Sequence, residues 1–236
     1  MVKIIAEGVD GKYTVHQLLE VMKALRSPDG CPWDREQTHK SIKNDAIEEV
    51  YEVADAIDND DAVALCEELG DMFLQVVFHS RIAEENGEFS FEDVVDGICK
   101  KLILRHPHVF GDAEAENSGQ VLDLWDSIKK EEKNQQTFTD TLESVPKAFP
   151  ALMRAAKVQK RAKKAGENFG NTLENGVLEE KLAKLSKEAS FEVYGDALFA
   201  LTAMQGQLGI NAEEALAAAT DRYIEDFKKR EESGKI

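Results

Sequence analysis

Apolar residues recur at helical spacing along nearly the whole chain. Val15, Leu18, Leu19 and Met22 share one side of a first helix, which Thr14 is placed to cap and which runs to about Leu25. The stretch SPDGCPWD, with Pro28, Gly30 and Pro32, reads as a loop. A second helix is predicted from about Ser41 to Ile57, ended by the string DND at 58–60. A third runs from about Asp61 to Glu85 and stops at Asn86-Gly87. Ser90 caps a fourth, with Glu92 and Asp93 in its first turn where the helix dipole favours acids, and it ends before Pro107. A further helix carrying Trp125 fits 118–133.

The polar segment from about 134 to 150, with Pro146 and Pro150, reads as a connection. Beyond it lie a basic helix (MRAAKVQKRAKK), Gly166 and Gly170, and helical stretches near 173–188, 190–208 and 211–231. The best strand candidate, Val2 to Ile5, is short and terminal. The predicted fold class is all-α, without significant sheet, as helical bundles joined by short connections. An internal echo refines this. ELGDMFLQVVFHSRIAEENGEFSFEDVV and EVYGDALFALTAMQGQLGINAEEAL both read Gly-Asp, apolar run, Gly stop, acidic helix start. Two tandem domains are therefore expected, at 12–135 and 146–236.

Composition restricts the partners. A net charge of −17 over 236 residues repels polyanions, so a nucleic-acid polymer or an anionic membrane is a poor partner. A small anionic substrate fits only if cations bridge it to the protein. Cys31, Cys66 and Cys99 form no CxxC pair, which argues against a disulfide framework and a zinc site and suits a reducing compartment. No signal segment or membrane-length apolar run is read, so a soluble, cytoplasmic protein is expected.

Candidate chemistry sits on the second and third helices. In DAIEEVYEVADAI, Ile47, Val50, Tyr51, Ala54 and Ile57 fall on one side, and Glu48, Glu49, Glu52 and Asp55 on the other. Alone, this is the ordinary pattern of a solvated acidic face. The third helix differs: apolar side chains from Leu65 to Phe78 cover most of its circumference, the mark of a helix buried in a bundle. Glu67, Glu68, Asp71 and Gln75 interrupt it as one narrow polar strip. Carboxylates on such a helix are costly unless a cation meets them, and a metal is the economical choice; solvent or distant lysines are the bland one. A short DND turn would bring the two acidic strips face to face. Hard oxygen donors in that number suit Mg²⁺, or Mn²⁺. Lys101 and Arg105 lie one helical turn apart before HPHVF, with Lys100 beside them, fit either for a phosphate or for the helix dipole.

The runs CPWDREQTHKSI, EEVYE, EELGD, KLILRHPHVFGD and AENSGQVLDLWDSIKKEEK, in this order, closely resemble the MazG family of nucleoside triphosphate pyrophosphohydrolases. The resemblance is strong over about 14–133 and weaker beyond. It implies an all-α fold, tandem domains, a homodimer and Mg²⁺-dependent cleavage of a nucleoside triphosphate to the monophosphate and diphosphate. By position it places metal ligands at Glu49, Glu52, Glu68 and Asp71, and gives Glu48 the part of catalytic base. It also gives Lys101 and Arg105 to the triphosphate, and Trp125 to the nucleotide. Trp33 could stack on a ligand, but it is expected to anchor its loop in the core.

The second half departs from the pattern. EKLAK (Glu180 to Lys184) stands where EExxE would, VYGD leaves only Asp196 of ExxD, Arg222 is followed by Asp226 in place of a second base, and the chain stops at Ile236 before a counterpart of Trp125. That copy is expected to serve packing or dimerisation and not catalysis. Two other readings fit the same sequence: a metal-free helical interaction module, and a narrower house-cleaning enzyme for one class of dNTP.

Overall fold

A computed structural model describes residues 11–132, 137–167 and 176–233; the expected strand at Val2 to Ile5 lies outside them. Every regular element among the described residues is helical. The chain forms two compact units, Met1–Trp125 and Asp126–Ile236.

The first unit is built from α1 (Val15–Leu25), α2 (Pro32–Glu36), α3 (Lys43–Asp58), α4 (Ala62–Asn86), α5 (Phe91–Arg105) and α6 (Pro107–Phe110). Into it runs the start of α7 (Ser118–Glu132). Local chemistry fixes the ends. Thr14 and Gln17 make a capping box on α1, and Ser90 and Asp93 make one on α5. Gly87 closes α4 at φ 70°, a left-handed conformation that glycine adopts without penalty. The loop before α3 holds a short helix that the sequence did not announce, with Pro32 in its first turn. A Cβ at Gly30 would collide with the carbonyl oxygens of Ala24 and Leu25, so only glycine lets the chain pass there.

The core gathers Met22, Ile42, Val77, Phe78 and Ile82, with Leu18, Leu19, Phe73, Leu74 and Phe91 packed against them. Arg26, its side chain buried, pins the α2 segment to α4. It pairs with Glu85 at 2.7 Å, donates to the carbonyls of Asp34 and Gln37, and lies over the Phe78 ring. His39 and His79 stack at 5.1 Å with their Nδ1 atoms 2.8 Å apart, a second fastening between the same parts.

Two expectations need correction. α4 is buried only along its C-terminal half, at Val77, Phe78, Ser80, Ile82 and Ala83. And the apolar stripe of α3 does not enter this core: Ile47, Val50, Tyr51 and Ile57 are exposed, while Ala56 is buried and Glu49 half-buried. The inward side of α3 is instead Ala46, Glu49, Val53 and Ala56, so one carboxylate of the acidic side, Glu49, is drawn in while Glu48, Glu52 and Asp55 stay exposed.

The second unit holds the rest of α7, then α8 (Phe138–Glu143), α9 (Ala151–Lys164), α10 (Val177–Lys187), α11 (Phe191–Ala203), α12 (Gln205–Leu208) and α13 (Ala212–Glu232). α8 falls in the segment read as a connection; Thr137 and Asp140 give it a capping box. α9 and α10 both pack on α11, around Val193, Ala197, Ala200 and the buried Gln159, whose Nε2 donates to the Phe199 carbonyl at 2.7 Å.

Candidate metal centre

α3 and α4 pack along their length because the turn between them is short and tightly determined. Asn59 ends α3, Asp60 takes φ 53°, which aspartate tolerates better than most residues, and Asp61 caps α4 by accepting from the Val63 and Ala64 amides at 3.0 Å. This reversal sets Glu49 of α3 opposite Glu68 and Asp71 of α4. One carboxylate oxygen from each of the three lies within 4.8 Å of the other two.

The electrostatics follow from crowding. Burial, then the charges of Asp71 and Glu52, raises Glu49 above its ordinary value, and Gln75 opposes this with a hydrogen bond. Burial raises Glu68 as well, followed by Glu52, Glu67 and Asp71. Glu52 therefore stands within electrostatic reach of the cluster although it is exposed and outside the close triad. Glu48 is exposed beside Glu49 and also lies outside the triad. Among the described residues, no lysine or arginine pairs with Glu49, Glu68 or Asp71. Like-charged oxygens gathered without a protein cation are a donor set suited to a hard divalent ion, Mg²⁺ or Mn²⁺.

The other predicted residues lie on α5 and α7. Arg105 is half-buried with its guanidinium 5.8 Å from the centre of the Trp125 ring, so residues twenty positions apart in sequence share one surface. Lys101 is exposed on the preceding turn. Lys100 pairs with Asp96 at 2.6 Å and belongs to its own helix surface. Trp33, expected in the core, is 58% exposed, and Gln37 Nε2 donates to its backbone carbonyl at 2.8 Å. Gln75 carried no role in the sequence beyond its place in the polar strip. The signal was its position four residues after Asp71, which returns it to the same face.

In the second unit the corresponding seam is of another kind. Lys181 of α10 donates a hydrogen bond to Asp196 of α11 at 2.9 Å, and this bond, then the charge of Lys181 and that of Lys184, holds Asp196 below its ordinary range.

Comparison with known proteins matches residues 37–110 to the MazG nucleotide pyrophosphohydrolase domain. The chain is 40% identical over 228 residues to the nucleoside triphosphate pyrophosphohydrolase of Escherichia coli strain K12, covering 92% of this chain and 87% of that protein. It is 42% identical over 222 residues to the nucleoside triphosphate pyrophosphohydrolase/pyrophosphatase MazG of Thermotoga maritima, covering 92% and 85%. The domain match contains all of α3, α4 and α5, and so every residue of the carboxylate triad.

Proposed function

The chain belongs to the MazG family, and we propose that it hydrolyses a nucleoside triphosphate to the monophosphate and diphosphate in a Mg²⁺-dependent reaction. The observation that carries this reading is the convergence of Glu49, Glu68 and Asp71 inside the matched domain. Glu52, whose charge raises both Glu49 and Glu68, is the carboxylate that would join these three in holding the ion.

A bound Mg²⁺ or Mn²⁺ would neutralise triphosphate charge and lower the pKa of a coordinated water. The chain supplies the remainder. Glu48, on the turn of α3 that carries Glu49, accepts the proton of the water attacking the α-phosphorus. Lys101 and Arg105 hold the triphosphate and stabilise charge on the departing diphosphate. Trp125 offers a ring face to the base, and its contact with Arg105 ties base and phosphate recognition to one place. A nucleoside triphosphate as substrate and three unpaired cysteines both suit the cytoplasm.

The second unit supports packing or dimerisation without catalysis, because Lys181 and Asp196 satisfy each other where a metal site would need carboxylates. A second copy of the chain is the partner that fits the outward apolar stripe of α3.

Glu52→Ala or Asp71→Ala should abolish Mg²⁺-dependent diphosphate release while leaving the helical circular dichroism spectrum intact. Retained turnover in both variants overturns the assignment. A metal-free interaction module, by contrast, would give no diphosphate and no Mg²⁺-dependent thermal shift in the unaltered chain.

A further inference from the structure

Gln75 stands one helical turn beyond Asp71 on α4, and its side-chain amide acts on Glu49 across the α3–α4 seam, favouring the ionised carboxylate against burial and the neighbouring charges. An ionised carboxylate only accepts, so the NH₂ end of the amide must face Glu49 and the carbonyl must face elsewhere. That carbonyl oxygen, Oε1, is closed to solvent and has no hydrogen-bond partner among the described residues. A buried side-chain oxygen left unpaired is uncommon in a folded protein and asks for a reason. Packing alone supplies none: a methionine of similar shape would fill the space without the orphaned oxygen.

The two ends of this amide answer to different needs. Glu49 sits among Glu52, Glu68 and Asp71, whose charges push its carboxylate away from them. The Gln75 NH₂ group is neutral, so it can hold that carboxylate in place without competing with a cation as a lysine would. The orphaned oxygen, on the residue one turn beyond Asp71, is an acceptor closed to bulk solvent.

We propose that Gln75 is a positioning residue of the metal centre: its amide NH₂ fixes the Glu49 carboxylate for ligation, and its buried Oε1 is the acceptor held for a water that enters with the cation. This rests on the metal-site reading given above.

The test uses the full chain, with Mn²⁺ as the probe, and measures two quantities: the Mn²⁺ dissociation constant from the paramagnetic resonance signal of the free ion, and the thermal midpoint in chelator. Gln75→Met should weaken Mn²⁺ binding about tenfold. Its metal-free midpoint should be unchanged or higher, because an unpaired buried oxygen has gone. Gln75→Leu, differently shaped, should show the same split. A purely structural glutamine would move both readings together, so weaker binding with a lowered metal-free midpoint in both variants overturns the proposal. Wild-type Mn²⁺ affinity in Gln75→Met overturns it too. Asp71→Ala separates the two ideas. If Asp71→Ala loses Mn²⁺ while Gln75→Met keeps it, only the role of Gln75 fails; if Asp71→Ala also keeps it, the metal site itself fails.

Discussion

The Lys181 ammonium lies 2.9 Å from the Asp196 carboxylate, joining α10 to α11, whereas in the first unit Glu49 of α3 faces Asp71 of α4 with no cation between them. One seam is electrically satisfied from within and the other is not. Mn²⁺ binding should therefore be confined to the first unit. Asp196→Asn is expected to leave the Mn²⁺ titration unchanged, and Asp71→Asn to remove it. Because Lys181 and Asp196 are 35% and 57% exposed, Lys181→Met should move the urea-unfolding midpoint only slightly. A changed Mn²⁺ stoichiometry in Asp196→Asn would show that the second seam also binds the ion.

The metal-free protein should weaken as pH rises through the window above 4.5. Glu49 and Glu68 are raised by burial and then by neighbouring carboxylates, so the folded state holds their protons at pH values where the unfolded chain has released them. Their contribution is favourable at low pH and is lost on ionisation. His79 works the other way: burial, then His39, lowers it below 6.5, so its contribution is lost as pH falls. The two trends are separated by comparing Glu68→Gln with the unaltered chain in chelator. Glu68→Gln should be the more stable at pH 7, with the difference shrinking toward pH 4. Saturating Mg²⁺ should reverse the order at pH 7, since the variant forfeits a ligand.

What the sequence made legible was mostly local. Thr14, Asp61, Ser90 and Asn86-Gly87 declare helix ends through backbone hydrogen bonding within a few residues, and the structure places them there. The pairing of α3 with α4 was readable because three residues between them leave little choice but reversal. Burial was less readable. Helical periodicity shows that Ile47, Val50 and Tyr51 share a face, but not whether a core, solvent or another chain meets it, and the structure leaves that face uncovered. Trp33 was misjudged for the same reason: a large apolar ring suggests a core, yet Arg26, Arg35 and Gln37 tie the backbone of its loop by side-chain-to-carbonyl bonds and leave the ring outside. Those bonds end on backbone carbonyls, which a pattern of apolar and polar side chains does not report.

Arg26 should prove a major stability determinant of the first unit. Its guanidinium reaches Glu85, two backbone carbonyls and the Phe78 ring, and with Arg81 it holds Glu85 below its ordinary range against the opposing effect of burial. Arg26→Met leaves those acceptors with fewer donors and should cost about 2 kcal/mol in urea unfolding. Arg81→Met removes contacts that are more exposed and should cost less. Equal losses would argue that Glu85 alone, and not the loop anchored by Arg26, carries the effect.

Nucleotide binding should be visible in the fluorescence of Trp125. The chain has two tryptophans, so Trp33→Phe leaves Trp125 as the sole indole reporter. If Trp125 receives the base with Arg105 against it, a nucleoside triphosphate added in the presence of Ca²⁺ should shift that emission. Arg105→Lys should keep the charge but lose the planar contact with the ring, raising KM roughly tenfold with a smaller change in kcat. An unresponsive Trp125, in protein that still turns substrate over, would remove it from the site.

The exposed face of α3 sets the last expectation. Val50 and Tyr51 are 52% and 55% exposed, and Ile47 and Ile57 extend the same apolar stripe. On α5, Val95, Ile98 and Leu102 are exposed as well, at the i, i+3, i+7 spacing that places them on one side of the helix. Apolar stripes of this length left facing water on two helices of one unit are the mark of a surface that something covers. A second copy would do so at no cost in charge complementarity, because the stripe itself is uncharged although the chain carries −17. Light scattering should therefore give twice the chain mass of 26.3 kDa. Val50→Glu should yield a helical monomer, since its own unit does not bury Val50 and a glutamate there disturbs nothing but the contact with the partner. If Val50→Glu remained dimeric, the interface would have to lie away from α3, and the exposure of Ile47, Val50 and Tyr51 would need another explanation than a partner covering them.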